Sequence, residues 1–237
     1  MTMMNWDEPA SVEGGIFEKI EVSAPVTVSS SIEANEITIH KTGTLTVQGK
    51  VNAPFIRISG TLNIEDTLET EQLTIDKDAE LGVNGDTISA SILNKGRLQT
   101  EGGMRSDKFD STGVVIARGP INVERFKSTG SLQLDNDLTV QAAEIIVSEV
   151  SNIRYLNGGE VQVKAEREML LFKDEDSRLS VREIDGSVLT LENVIAELVR
   201  GDNVTIKNNC TIKTVEYTES YNYDESSDVH EFVKIKR

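Results

Sequence analysis

Two histidines, His40 and His230, are the chain's candidate general bases. On repetitive β-scaffolds, acyl transfer needs such a base facing a cleft between subunits. His40 follows the strand-like EITI and opens the turn KTG, which puts it at a solvent-facing corner, and His230 lies in the terminal segment. Carboxylates are the next candidates, because paired acids on one face, flanked by bases, cleave acidic polysaccharides. Asp110, Asp135, Asp137 and Asp202 sit in turn-like contexts, where aspartate caps backbone groups. The stretch from Gly43 to Lys50 looks like a phosphate loop, but its spacing is one residue too long and Val51 replaces the required Ser or Thr. Cys210 and two distant histidines make no recognisable metal site, so the thiol reads as a small core residue. The expectation is a protein with no catalytic, cofactor or metal site and no enzymatic activity. A carbohydrate-binding or carbohydrate-acting monomer is the alternative.

The elements that would position such residues follow from a repeat. DKFDSTGVVIARGPINV, 107 to 123, is followed at once by ERFKSTGSLQLDNDLTV, 124 to 140. Phe109 falls on Phe126, Gly113 on Gly130 and Val123 on Val140. A further step of the same length upstream reaches Ile92, Gly96 and Met104, and the next reaches Ile75, Ala79 and Leu81. Each copy alternates apolar and polar residues, as in Leu45-Thr46-Val47 and Leu62-Asn63-Ile64, which is the period of a strand with one buried face. KTG, NKG and STG supply the corners. Short strands with corners every five or six residues predict an all-β solenoid, a parallel β-helix of three faces with a repeat of about 17–19 residues. Stacking at about 4.8 Å gives roughly eleven coils over residues 16–217, a rod of about 50 Å. A sandwich is the rival, but it needs no fixed period. AEREMLLFKDED, 165 to 176, is the one helical candidate, and 164–178 is the expected place for an excursion from the column.

Composition narrows the partners. A net charge of −16 argues against nucleic acid, which needs clustered bases, and against simple attraction to anionic lipid. Aromatics are only 5%, so the core must be aliphatic. A lone cysteine permits no internal disulfide and points to a reducing compartment. No secretory pattern opens the chain and no apolar run is long enough to span a membrane, so the expected location is cytoplasmic.

Residues 138–163 and 189–217 resemble the bactofilin family of polymer-forming cytoskeletal proteins, in particular its longer Bacillus-type branch. The resemblance rests on Ala143-Glu144-Ile145, Leu191-Glu192-Asn193, Val199-Arg200-Gly201-Asp202, Cys210-Thr211-Ile212 and Val215-Glu216-Tyr217. It implies a right-handed parallel β-helix that joins end to end into nucleotide-independent filaments. It further implies a scaffold for cell shape, envelope growth or motility, often beneath the inner membrane.

A stack of coils ends in two open strand ladders, and such edges invite another chain. Phe17, near the first coil, and Tyr217, at the last, are the candidates for self-association. Met3, Met4, Trp6 and the cluster Leu170, Leu171 and Phe172 are candidates for partner or membrane contact. Asp7 and Glu8 follow the first group, so membrane binding is expected to be weak or absent. The expected partners are the chain itself and cell-envelope or motility proteins. The expected organisation is a flexible segment over 1–15, a β-helix over 16–217, and a tail or cap over 218–237.

Overall fold

The computed structural model describes residues 3–166 and 177–236. They are strands, corners and bends, with no helix among them. The chain forms two compact units, Met1–Pro120 and Ile121–Arg237. Both are parallel β-solenoids, with about 13 turns in all.

Unit 1 begins with β1 (Met3–Trp6), β2 (Ala10–Val12), β3 (Gly15–Val22), β4 (Pro25–Val28) and β5 (Ile32–Ile39). It continues through β6 (Thr44–Val47), β7 (Val51–Asn52), β8 (Phe55–Ile58), β9 (Thr61–Ile64) and β10 (Leu68–Ile75). Its last strands are β11 (Glu80–Val83), β12 (Thr87–Asn94), β13 (Arg97–Thr100), β14 (Met104–Ser111) and β15 (Val114–Ala117). A coil has three arms. In the coil that opens with β3, the first arm is Gly15–Phe17, the second Lys19–Val22 and the third Pro25–Val28. Each arm pairs in parallel with the same arm of the next coil. In the third coil Pro54 separates β7 from β8, since proline offers no N–H to a ladder and restricts the backbone before it.

The core is a set of columns, one residue per coil. Ile20, Ile37, Ile56, Leu73, Ile92 and Phe109 form one, and all are buried. Val26, Leu45, Leu62, Leu81, Leu98 and Val115 form another. Alternation makes this geometry. Residues on either side of each column member point outward and carry the polar surface. Asn94 intrudes on a column but is satisfied there: its amide donates to Ser111 Oγ at 3.0 Å and to the Val114 carbonyl at 3.1 Å.

Unit 2 comprises β16 (Ile121–Ser128), β17 (Leu132–Val147), β18 (Ser151–Ala165), β19 (Leu179–Leu191), β20 (Val194–Ile206), β21 (Thr211–Tyr223) and β22 (Asp228–Lys234). They pair in parallel in that order, which is solenoid pairing and not the antiparallel pairing of a sandwich. β19 lies directly on β18, with Leu179 opposite Ser151. Most of the helical candidate, residues 167–176, lies outside the described residues.

The amino-terminal end differs from the sequence expectation of a flexible segment, and the carboxy-terminal segment, left open as a tail or a cap, is largely strand. Residues 3–12, expected to be flexible, add β1 over Lys19–Val22 and β2 over Val26–Val28. Beyond 217, β21 runs on to Tyr223 and β22 lies on Thr211–Tyr217 as a further coil. These additions explain why the turns outnumber the roughly eleven read from the repeat.

Candidate self-association edges

At the carboxy-terminal end of unit 2, the outer edges of β22 and of Ser220–Tyr223 have no ladder partner among the described residues. The side chains under those edges are rings. Tyr221 follows Val204 in its column, Tyr223 follows Ile206, and Phe232 follows Val215. Tyr221 stacks on Tyr217, Tyr223 and Phe232 with centroids 5.4, 5.7 and 5.1 Å away. Offset ring pairs of this kind add to simple area burial. Tyr223 and Phe232 remain 50% and 53% exposed, and Val233 is 40% exposed. The Tyr221 hydroxyl is buried without a hydrogen-bond partner. Its burial, reinforced by the neighbouring Tyr223 and Tyr217, pushes its pKa up to about 12.

At the amino-terminal end of unit 1, β1 and β2 cover the second and third arms of the coil below. The first arm, Gly15–Phe17, is left uncovered among the described residues. Ile16 is exposed there. Phe17, the predicted contact, is half-buried and meets the edge of Trp6 at a centroid distance of 6.1 Å. Of the six residues proposed for partner or membrane contact, Met3 points outward, Met4 is half-buried, and Trp6 is buried in the Val22 column. Burial leaves Trp6 little free surface for a membrane. Leu170, Leu171 and Phe172 lie outside the described residues.

Tyr217 is not on the outermost coil, as the sequence suggested, because Lys234 of β22 pairs over it. It continues a column in which Gly158, Gly186 and Gly201 stand one above another. A Cβ on those glycines would lie 2.7, 2.7 and 2.8 Å from Val161, Leu189 and Val204 respectively. Only glycine lets the corner approach the core so closely. A register shift between Gly201 and Asn203 accompanies the change to a ring at Tyr217.

The other residues carrying the family resemblance form ladders between coils. The Arg200 guanidinium donates to Glu216 at 2.7 Å and to Asp185 at 3.3 Å, one partner on each adjacent coil. Those two carboxylates, Glu216 foremost, raise the Arg200 pKa against the effect of its partial burial. Asp202 accepts the Thr218 hydroxyl at 2.8 Å. Glu192 is buried and accepts the Ala165 N–H at 3.3 Å. Cys210 is buried, its Sγ lies 3.4 Å from the Leu191 carbonyl oxygen, and burial pushes its pKa up. Beside it Asn209 donates to Asn193 at 3.0 Å, and both asparagines hold positive φ. Asparagine tolerates that left-handed corner.

The residues weighed for catalysis are dispersed. His40 faces Glu21 at 3.8 Å and His230 faces Asp228 at 3.3 Å, in different units. Asp110 is paired with Lys108 at 2.7 Å. Asp135 and Asp137 line separate surface depressions, the first with Arg154 and Arg182, the second with Glu183 and Asp185.

The repeat did not single out Tyr221, Tyr223 or Phe232, because the 17-residue phrase has faded by that point. One signal would have found Tyr223: Asn5-Trp6-Asp7-Glu8 near the start returns as Asn222-Tyr223-Asp224-Glu225 near the end. No family model, curated protein or solved structure matches the chain.

Proposed function

We propose that this chain is a scaffold subunit that self-assembles end to end into nucleotide-independent cytoskeletal filaments. In this reading the filaments support cell shape, envelope growth or motility in a bacterium, from the cytoplasm or the inner face of its membrane. Envelope or motility proteins are the expected partners, besides the chain itself. The observation that carries the reading is the open edge of β22 and the end of β21, where Phe232, Val233 and Tyr223 stand exposed beside backbone groups without a ladder partner among the described residues. An uncovered, partly apolar edge of this kind is a template for another chain. Repetition of one heterologous contact that does not close yields a filament. The bactofilin resemblance of residues 138–217 points the same way. No helix among the described residues is long and apolar enough to cross a membrane.

Negative-stain microscopy and pelleting of the purified protein, with and without ATP or GTP, test the proposal. Filaments under both conditions are expected. Discrete particles at high concentration would overturn it, as would filaments that vanish when nucleotide is withdrawn. Phe232→Arg should retain the far-ultraviolet circular dichroism while abolishing pelleting.

A second reading has one observation in its favour. A groove of about 960 Å³ on unit 2 is lined by Arg154, Arg182, Lys213 and His230, together with Ile195 and the carboxylates Asp135 and Glu197. The Arg154 guanidinium lies 5.3 Å from the Tyr155 ring centroid. Such a groove suits an acidic oligosaccharide, and saturable binding of one by a protein that stays monomeric would favour this reading over the scaffold.

A further inference from the structure

Two coils of unit 1, residues 51–64 and 87–100, share one architecture and differ in what fills them. The first turns Val51, Ala53, Ile56, Ile58, Leu62 and Ile64 inward, all apolar and all buried. The second turns inward Thr87, Ser89, Ile92, Asn94, Leu98 and Thr100, which are buried as well. The two sets stand in common columns through Leu68, Leu73, Ile75, Leu81 and Val83 of the coil between them. Within coil 87–100 only Ile92 and Leu98 are apolar.

Beyond the backbone ladder, apolar burial is what holds one coil on the next. The polar side chains of coil 87–100 do not replace that grip. The Ser89 hydroxyl donates to the Ser91 carbonyl oxygen at 3.0 Å, with that of Glu71 farther off at 3.4 Å. The Thr100 hydroxyl donates to the Gly102 carbonyl oxygen at 3.3 Å. Both bonds span two residues of one strand or corner, so they survive when the coil parts from its neighbours. The Asn94 amide donates to Ser111 and Val114, both on the following coil. The Thr87 hydroxyl is buried without a hydrogen-bond partner, so the closed coil bears the desolvation cost of that group. End fraying does not account for any of this, because coil 87–100 is paired on both sides.

We propose that coil 87–100 is a built-in seam, the layer at which unit 1 opens by local unfolding while coils 32–64 stay closed. Contiguous parts of one fold differ in opening free energy according to how much apolar contact secures them. Opening frees the edges of β10 and β11, which coil 87–100 covers in the closed state. Leu68, Leu73, Ile75, Leu81 and Val83 then lose their upper neighbours, so the seam decides which apolar surface unit 1 presents when it opens. The seam belongs to the single chain and does not depend on the scaffold reading.

Native-state hydrogen exchange of the full chain, read by mass spectrometry and corrected for intrinsic rates, tests the seam. Amides of 87–100 should be protected about tenfold less, or weaker still, than those of 32–64. Thr87→Val keeps the side-chain outline and removes the unpartnered hydroxyl, so it should slow exchange at 87–100 by about tenfold. Val51→Thr puts a hydroxyl into the same column on coil 51–64. It should speed exchange there and leave 87–100 unchanged, because an open seam leaves coil 51–64 closed. Equal protection of the two coils in the unsubstituted protein would overturn the seam. So would a Val51→Thr variant that speeds exchange at both coils alike, the mark of a single cooperative opening. Should Val51→Thr fail to fold, Thr87→Val still decides: unchanged exchange at 87–100 would overturn the seam.

Discussion

Leu62→Ala tests the columnar core directly. Leu62 is fully buried, with Leu45 against it on one side and Leu81 on the other. Truncation removes three carbons, or about 2.4 kcal/mol at roughly 0.8 kcal/mol per buried CH₂. The column leaves little room for collapse, because the coil spacing is held by backbone hydrogen bonds above and below. A cavity term therefore adds to the transfer term, and the total should be about 3–4 kcal/mol, within the range seen for leucine truncations. Thr46 is the control: it sits on the coil before Leu62, and its side chain alternates outward. Thr46→Ala should fall within about 0.5 kcal/mol of the unsubstituted protein, as surface changes do. Urea unfolding followed by circular dichroism, at one protein concentration, measures both. Equal midpoints for the two variants would refute the assignment of Leu62 to a stacked core.

The corner glycines should be intolerant. Gly186→Ala puts a Cβ 2.6 Å from the Gly158 carbonyl oxygen, so a loss of about 1–3 kcal/mol is expected from overpacking, read as a lowered melting temperature. The Glu144 carboxylate is held below its ordinary pKa by hydrogen bonds from Lys164 and then Lys127. A carboxylate depressed in the folded state contributes stability above its unfolded pKa and loses it as pH falls through the folded value. Glu144→Gln should therefore lower the melting temperature at pH 7, and by progressively less as the pH falls below the ordinary carboxylate range; a loss that does not shrink in acid would count against the ion ladder. Burial of Cys210 and its raised pKa predict that a thiol reagent labels it only after denaturant is added, and rapid labelling of the native protein would contradict that placement.

The solenoid was legible because its two signals are local. Side chains alternate along any strand, and a coil of constant circumference brings the same residue type back after the same number of positions. Ile20 to Phe109 and Val26 to Val115 are therefore columns that could be read by counting. The candidate site was legible only in part. Phe17 does lie at an open arm, but Tyr217 lies one coil inside the end, and its stacking partners went unnoticed. Met3–Trp6 is too short to show alternation convincingly, and its place as a strand comes from pairing with residues sixteen positions away.

By itself, then, the sequence determined an aliphatic, parallel, three-armed coil with polar corners, because repeat length and alternation are properties of single residues and their spacing. Only the tertiary structure decided which coil is last at each end, which rings gather beneath β22, and why glycine recurs at 158, 186 and 201. Those features depend on what lies one coil away, at a separation that varies from coil to coil. Backbone hydrogen bonding between coils sets that register, and no local pattern encodes it.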